Sequence, residues 1–235
     1  MSHFGGACSF LSFLLWRSRY ALIGCALSVL LVSTVSATGS RQGVAAQIHP
    51  KAGTYKLQKI QPAPSGWVLE DSVWIPRRLS SYTKGKITLF SFFYGTCRDP
   101  EGCPKIWDAF NAVHDTVKKD PKLHDKVQLV FLSLDPKVDT PEMMSFFRDS
   151  MSTPEAPWSF LTTWSESYLA PILNETYVPA AREFDDAGKP TDVINHLVKV
   201  FLIDKEAWVR EIYTSNFLDA DVIVTDIGTL LLEEE

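Results

Sequence analysis

An apolar, aromatic run at residues 87–94 (Ile-Thr-Leu-Phe-Ser-Phe-Phe-Tyr) constrains the fold of this chain more than any other segment. Such a run is typical of a strand that is buried on both faces. Residues 127–134 form a second run of the same kind. Between them, apolar residues recur at helical spacing after Pro104, which predicts a helix that ends at Asp120-Pro121. Strand, crossover helix and parallel strand imply a right-handed βαβ unit.

A second helix is predicted to begin at residues 140–142 (Thr-Pro-Glu). This start has a capping hydroxyl, a proline in the first turn and an acid at the positive end of the helix dipole. We expect Met143, Phe146 and Phe147 to face inward from it.

The last part of the chain predicts a β-hairpin at residues 197–213. A closing helix is predicted from Asp219 or Asp221, with Ile223, Ile227 and Leu230 on one face. The whole order predicts an α/β, thioredoxin-like fold, in which a central mixed sheet is flanked by helices. Residues 150–195 exceed what a minimal version of that fold needs. We therefore predict a folded insertion there, before the third core strand.

The first 37 residues predict an export segment. Residues 1–37 contain no acidic residue, the basic residues are Arg17 and Arg19, and residues 20–37 are uncharged and mostly apolar. This pattern indicates a signal peptide or an uncleaved membrane anchor, because a membrane span needs about 20 residues. Either would put residues 38–235 outside the cytoplasm, in the periplasm or, for a mitochondrial protein, in the intermembrane space.

The exported part divides into a linker and a domain. Residues 38–65 are rich in Gly, Ser, Gln and Pro and are typical of a linker. Residues 66–235 are numerous enough to form one domain with its own core. The net charge of −5 disfavours a nucleic-acid binder, and the 12% aromatic content argues against disorder throughout.

Four cysteines are the informative count in the composition. Cys8 and Cys25 lie in the export segment, where they are interpreted as small apolar residues. Cys97 and Cys103 are the cysteines of the exported part. In an oxidising compartment such a pair is a structural disulfide, a redox pair or part of a metal site.

The position of the two exported cysteines favours chemistry over a purely structural disulfide. Cys97 follows the first buried strand, and Cys103 directly precedes Pro104, at the predicted N-cap of the helix. Backbone N–H groups and the helix dipole favour a thiolate at such a position.

Four segments together resemble the Sco/SenC family over about residues 66–232. They are residues 97–104, with the two cysteines and Pro104, residues 133–136 (Ser-Leu-Asp-Pro), residues 139–142 (Asp-Thr-Pro-Glu) and residues 195–204, which begin Asn-His. Members of that family are typically membrane-tethered, thioredoxin-like proteins that help assemble the CuA centre of cytochrome c oxidase.

The resemblance implies a copper site formed by Cys97, Cys103 and His196. It implies delivery of copper to an apo cytochrome c oxidase subunit, with a thioredoxin-like protein as a candidate reductant. The chemistry agrees, because thiolates select Cu(I) and imidazole suits copper, although zinc would accept the same ligands. We interpret Asp135 and Asp139, at family positions, as turn and helix-start residues and not as ligands.

The sequence departs from the family at two places, and the first departure keeps a second hypothesis open. Five residues separate the cysteines here, where the family usually has three, and Asn195 replaces the aspartate that usually precedes the histidine. The longer loop is compatible with a thiol–disulfide oxidoreductase that keeps a partner's cysteines reduced, with Cys97 and Cys103 as catalytic residues. A lone histidine such as His196 is otherwise usually a solvated or core residue.

Overall fold

The computed structural model describes residues 49–70, 72, 74–97 and 102–233. The export segment predicted at residues 1–37 lies outside the described residues. No described helix combines the length and the apolar character that a membrane crossing needs.

Short strands and one short helix precede the first long strand. They are β1 (Gln61–Pro62), β2 (Trp67–Val68), β3 (Arg77–Arg78) and α1 (Ser80–Thr83). The βαβ unit and the next helix follow as β4 (Ile87–Phe93), α2 (Gly102–Lys119), β5 (Val127–Ser133) and α3 (Pro141–Met151). The rest of the chain forms β6 (Trp158–Leu161), α4 (Glu166–Thr176), β7 (Ala180–Phe184), β8 (Pro190–His196), β9 (Lys199–Ile203), β10 (Trp208–Thr214) and α5 (Ala220–Glu233).

The central sheet has six strands in the order β1-β10-β9-β4-β5-β6 among the described residues. Strand β4 pairs in parallel with β5, and β5 in parallel with β6. Strand β9 is antiparallel to both β4 and β10. The sheet is therefore mixed, and the predicted thioredoxin-like α/β fold is confirmed.

Side chains of β4 alternate between two cores, which explains its near-continuous apolar sequence. Leu89 and Phe93 belong to the core under α2 and α5. Phe90 and Phe92 belong to the core on the opposite face, which α1 and α4 cover. Both faces of the strand are thus buried, as the sequence predicts.

The inward face of α3 differs from the prediction. Met143 and Phe146 are 42% and 65% exposed, whereas Phe147 packs on the core as expected. Met144 is fully buried instead, and Met151 also contacts the core. Met144, Phe147 and Met151 are three and four residues apart, so they form one stripe of α3 that faces the core.

The predicted insertion, residues 150–195, contributes one strand to the central sheet. Strand β6 lies at the sheet edge next to β5, and α4 covers the adjoining face. Strands β7 and β8 form a separate two-stranded sheet, which leads directly into β9. The insertion is therefore folded, and its last strand, β8, ends at His196.

The described part of the predicted linker, residues 49–65, packs against the domain. Its strand β1 pairs with β10, and Leu57 is buried. Tyr55 and Tyr213 both donate hydroxyl hydrogen bonds to the buried carboxylate of Asp226 in α5. Burial, followed by the bond to Asp226, raises the pKa of Tyr55 to about 12. Composition alone does not reveal these contacts, because each depends on a distant element.

His114 in α2 should make the stability of the domain sensitive to acid. It is 7% exposed, and its Nε2 lies 3.1 Å from the Ala156 carbonyl oxygen. Burial lowers its pKa, while the bond to Ala156 opposes that shift. The unfolded chain therefore binds the proton more readily, so the free energy of unfolding should fall as the pH drops below about 6.5.

Urea unfolding of the wild type and of His114→Gln at about pH 8 and about pH 5 measures this effect. The pH dependence should be smaller in His114→Gln than in the wild type. His124→Gln is the control, because His124 bonds the Lys118 carbonyl at the surface. Equal pH dependence in the wild type and in His114→Gln would refute the role of His114.

Candidate metal centre

The strand directions bring the predicted site residues to one edge of the central sheet. Strands β4 and β5 run in parallel, so their carboxyl ends share that edge. Strand β9 runs the opposite way beside β4, with Val200 opposite Ser91, so its amino end lies there too. Cys97 follows β4, and His196 closely precedes β9. Residues far apart in the sequence therefore lie at the same edge of the sheet.

Cys97 and Cys103 are joined by a disulfide bond, and their Cα atoms are 6.6 Å apart. Cys103 is 8% exposed, and both cysteines contact the core that α1 and α4 cover. Helix α2 begins at Gly102, so Cys103 lies in its first turn and not at the N-cap predicted from Pro104. The helix dipole still favours a thiolate there once the disulfide is reduced.

His196 is the last residue of strand β8. Its Nδ1 lies 3.1 Å from the Ile194 carbonyl oxygen. A carbonyl can only accept, so in the neutral imidazole Nδ1 carries the proton and Nε2 keeps its lone pair. Nε2 is buried and has no hydrogen-bond partner among the described residues. An imidazole held in this way is typical of a metal ligand.

Tyr94 contacts both the cysteine loop, which here means residues 94–97 after β4, and strand β8, which carries His196. The Cys97 N–H donates to the Tyr94 carbonyl oxygen at 3.2 Å. The Tyr94 ring meets the His196 ring edge-on, with 5.9 Å between centroids. The Tyr94 hydroxyl also accepts from the Ile194 N–H at 3.4 Å. Tyr94 is 3% exposed, so these contacts between the cysteine loop and β8 are buried.

In the part of the chain that the structure describes, no group of three or more His, Cys, Asp or Glu side chains is arranged to hold a metal ion. The two sulfurs are bonded to each other, so they do not present thiolates in this state. The donor set itself suits copper, since it consists of two sulfurs and one imidazole whose free nitrogen is buried.

Asp139 supports the start of the cysteine loop, a role that its interpretation as a helix-start residue missed. Both of its oxygens accept from the Gly95 N–H, at 3.2 and 3.0 Å, and the Ser133 hydroxyl donates at 2.5 Å. Burial raises the pKa of Asp139, these two bonds oppose the shift, and the charge of Asp135 adds to it. A Cβ at Gly95 would lie 2.7 Å from Asp139 Oδ1, so a larger residue at this position would displace the carboxylate.

Asp135 carries a second buried carboxylate that the sequence did not connect with the site. It is 1% exposed, and Arg182 Nη2 of β7 lies 2.7 Å from its Oδ1. The approach is not aligned as a hydrogen bond, and neither carboxylate oxygen of Asp135 has a hydrogen-bond partner among the described residues. Arg182 therefore serves as its countercharge.

The comparison with protein families decides the relationship. A family model described as SCO1/SenC matches residues 77–232. The chain belongs to the SCO1/SenC family. The matched span of this SCO1/SenC protein includes the disulfide, His196 and the carboxylate network around Asp139. Curated proteins gave no match.

Solved Sco structures share the fold of this SCO1/SenC chain. Copper-bound ScoI from Arabidopsis thaliana is 19% identical, covers 73% of this chain and 98% of its own, and has a TM-score of 0.59. Copper-bound ScoI from Bradyrhizobium japonicum is 24% identical, and the match covers 70% of this chain and 99% of the ScoI chain, with a TM-score of 0.52. BsSco is 18% identical, and the match covers 75% of this chain and 98% of the BsSco chain, with a TM-score of 0.55. That structure is described as identifying a disulfide switch in BsSco, a member of the Sco family of cytochrome c oxidase assembly proteins.

Proposed function

We propose that this chain is a copper-binding assembly factor that delivers copper to the CuA site of a cytochrome c oxidase outside the cytoplasm. The observation that carries the proposal is the buried Nε2 of His196, which lacks a hydrogen-bond partner among the described residues, at the sheet edge where β4 leads to the cysteines. Two thiolates and one imidazole would bind copper, with the thiolates selecting Cu(I).

The descriptions of related structures support this cargo and this recipient. Two Sco structures with the same fold contain copper, and BsSco is described as a member of a family of cytochrome c oxidase assembly proteins. In the proposal, copper is cargo and not a resident cofactor. The chain accepts it and passes it by ligand exchange to an apo subunit of the oxidase.

The disulfide defines the step that must precede copper loading. Reduction breaks the Cys97–Cys103 sulfur–sulfur bond and yields two thiols, with two electrons and two protons taken up. Copper binding then requires the thiolates and releases protons. A thioredoxin-like dithiol protein would supply both electrons by thiol–disulfide exchange and would itself become a disulfide.

The exported location rests on the sequence of residues 1–37. Their apolar run would cross or be processed at a membrane, and Arg17 and Arg19 would hold the amino terminus in the cytoplasm. A compartment outside the cytoplasm also suits the disulfide, since cytosolic thiols are kept reduced.

A thiol–disulfide oxidoreductase that keeps a partner's cysteines reduced is the second candidate. The observation that favours it is the disulfide itself, formed between Cys97 and a cysteine in the first turn of α2. That position lowers the pKa of a cysteine and increases its reactivity. In this function His196 would not touch the reacting sulfur atoms.

Copper titration of the reduced full chain in mild detergent, with a chromophoric Cu(I) chelator as competitor, separates the two functions. The wild type should bind Cu(I). Loss of an outer partner of a metal ligand weakens metal binding by about 10–100-fold. His196→Ala removes a ligand itself, so it should weaken copper binding by at least that factor. Exchange of the disulfide with a small dithiol should be unchanged in His196→Ala.

His124→Ala is the control for this titration, because its ring bonds a backbone carbonyl at the surface. It should bind copper as the wild type does. A reduced wild type that binds no copper, or a His196→Ala variant with undiminished affinity, would overturn the copper proposal. Rapid dithiol exchange in that case would favour the oxidoreductase.

A further inference from the structure

The position of His196 depends on a hairpin that the central sheet does not hold directly. Strands β7 and β8 pair with each other, with Ala180 opposite His196 and Arg182 opposite Ile194. They form their own two-stranded sheet, apart from the six-stranded one. Besides the short chain link from β8 to β9, side-chain contacts therefore hold the hairpin against the cysteine side of the site.

The ion pair between Arg182 and Asp135 is one such contact. The Arg182 side chain is 19% exposed, and that of Asp135 is 1% exposed. Arg182 also donates from Nη1 to the Thr191 carbonyl oxygen at 2.9 Å, which ties β7 to β8. One guanidinium thus holds both strands of the hairpin and reaches the end of β5.

Asp135 in turn belongs to the network that supports the cysteine loop. Its N–H donates to Ser133 Oγ at 2.9 Å, and the Ser133 hydroxyl donates to Asp139. Asp139 accepts from the Gly95 N–H, two residues before Cys97. The chain of contacts therefore runs from the hairpin that carries His196 to the loop that carries the cysteine.

We infer that Arg182, paired with Asp135, is a positioning residue that sets His196 against the cysteines for copper binding. The inference rests on the proposed copper function and adds a residue that the copper would not touch. A buried charge that loses its countercharge is costly, so the hairpin would have to shift if Arg182 were removed. Copper would then lose part of its imidazole contact, while the cysteines stay in place.

A double-mutant cycle on the full chain tests this inference. Arg182→Gln should weaken Cu(I) binding by about 10–100-fold, as loss of an orienting partner does. In a His196→Ala background the same change should cause no further loss, because Arg182 acts through His196. A general structural role would instead weaken binding in both backgrounds.

Arg210→Gln is the matched control. Arg210 Nη1 lies 3.0 Å from Asp204 Oδ2, and their side chains are 11% and 7% exposed, so this is also a buried Arg–Asp pair. Asp204 follows β9, at the end opposite to His196. Arg210→Gln should leave copper affinity unchanged even where it lowers stability. If Arg182→Gln does not fold, the double variant Arg182→Gln, Asp135→Asn removes the unpaired buried charge. It should still weaken copper binding, because the contact between β7 and Asp135 is lost in this variant too.

A measurement without copper tests the position of His196 independently of copper binding. In nuclear magnetic resonance spectra of the reduced, copper-free chain, the ring resonances of His196 should shift in Arg182→Gln and should not shift in Arg210→Gln. Unchanged His196 resonances with unchanged copper affinity in Arg182→Gln would overturn the inference. A wild type that binds no copper would overturn the proposed function instead, and the spectra would still decide whether Arg182 positions His196.

Discussion

Replacing Cys97 and Cys103 together by serine should abolish Cu(I) binding by the reduced chain. Serine keeps the size of the side chain but presents a hydroxyl in place of the soft thiolate that Cu(I) selects. His196 would remain as a single imidazole ligand. The loss of affinity should exceed about 100-fold, the upper end of the cost of losing an outer partner of a ligand. Competition with a chromophoric Cu(I) chelator under anaerobic conditions measures it.

The chain contains its own control for this experiment. Cys8 and Cys25 can be replaced by serine in the same way, and this pair should leave the copper affinity and stoichiometry unchanged. The reduced wild type also lacks the disulfide, so it is the proper reference for the Cys97→Ser, Cys103→Ser variant. Copper binding that survives in that variant, or that disappears in the Cys8→Ser, Cys25→Ser control, would contradict the assignment.

Replacing Phe131 by alanine should cost about 3–5 kcal/mol of the free energy of unfolding, the range for a large aromatic side chain removed from a core. Phe131 is fully buried in β5. Its ring centroid lies 4.2 Å from that of Phe110, 5.0 Å from Trp107 and 5.1 Å from Phe93. Removal therefore leaves a cavity between the sheet and the helix that carries Cys103.

Phe146→Ala is the matched control, because the same atoms are removed from a side chain that is 65% exposed. It should change the free energy of unfolding by less than about 0.5 kcal/mol. Urea denaturation followed by tryptophan fluorescence measures both variants. Similar losses for Phe131→Ala and Phe146→Ala would contradict the packing described for α3 and β5.

Strands β4 and β5 and helix α2 between them could be predicted, because the spacing of their apolar residues reflects which of their faces are buried. Strands β4 and β5 are buried on both faces, so no polar residue interrupts the pattern for long. The face of α3 could not be predicted in the same way. Its sequence offers Met143, Met144, Phe146 and Phe147 on several faces, and packing against β6 selects Met144 and Phe147. Periodicity decides little where apolar residues are this dense.

The candidate site was predictable only in part. The sequence placed Cys97 and Cys103 between a strand and a helix, and the disulfide between them agrees with that placement. The roles of Asp139 and Arg182 could not be predicted, because each depends on partners brought close by the fold of the sheet and the hairpin. A short polar residue in a turn looks the same in sequence whether its carboxylate is solvated or buried.

The packing of residues 49–65 has a consequence for how a soluble fragment should be cut. Strand β1 protects part of the outer edge of β10, and Pro62 has no N–H with which to extend the ladder. A fragment that starts at residue 66 would open that edge to pairing with other chains and would take Tyr55 from the carboxylate of Asp226. Aggregation of such a fragment would report the missing edge cover and not a defect of the copper site. A fragment that begins before His49 keeps both the cover and the carboxylate contact.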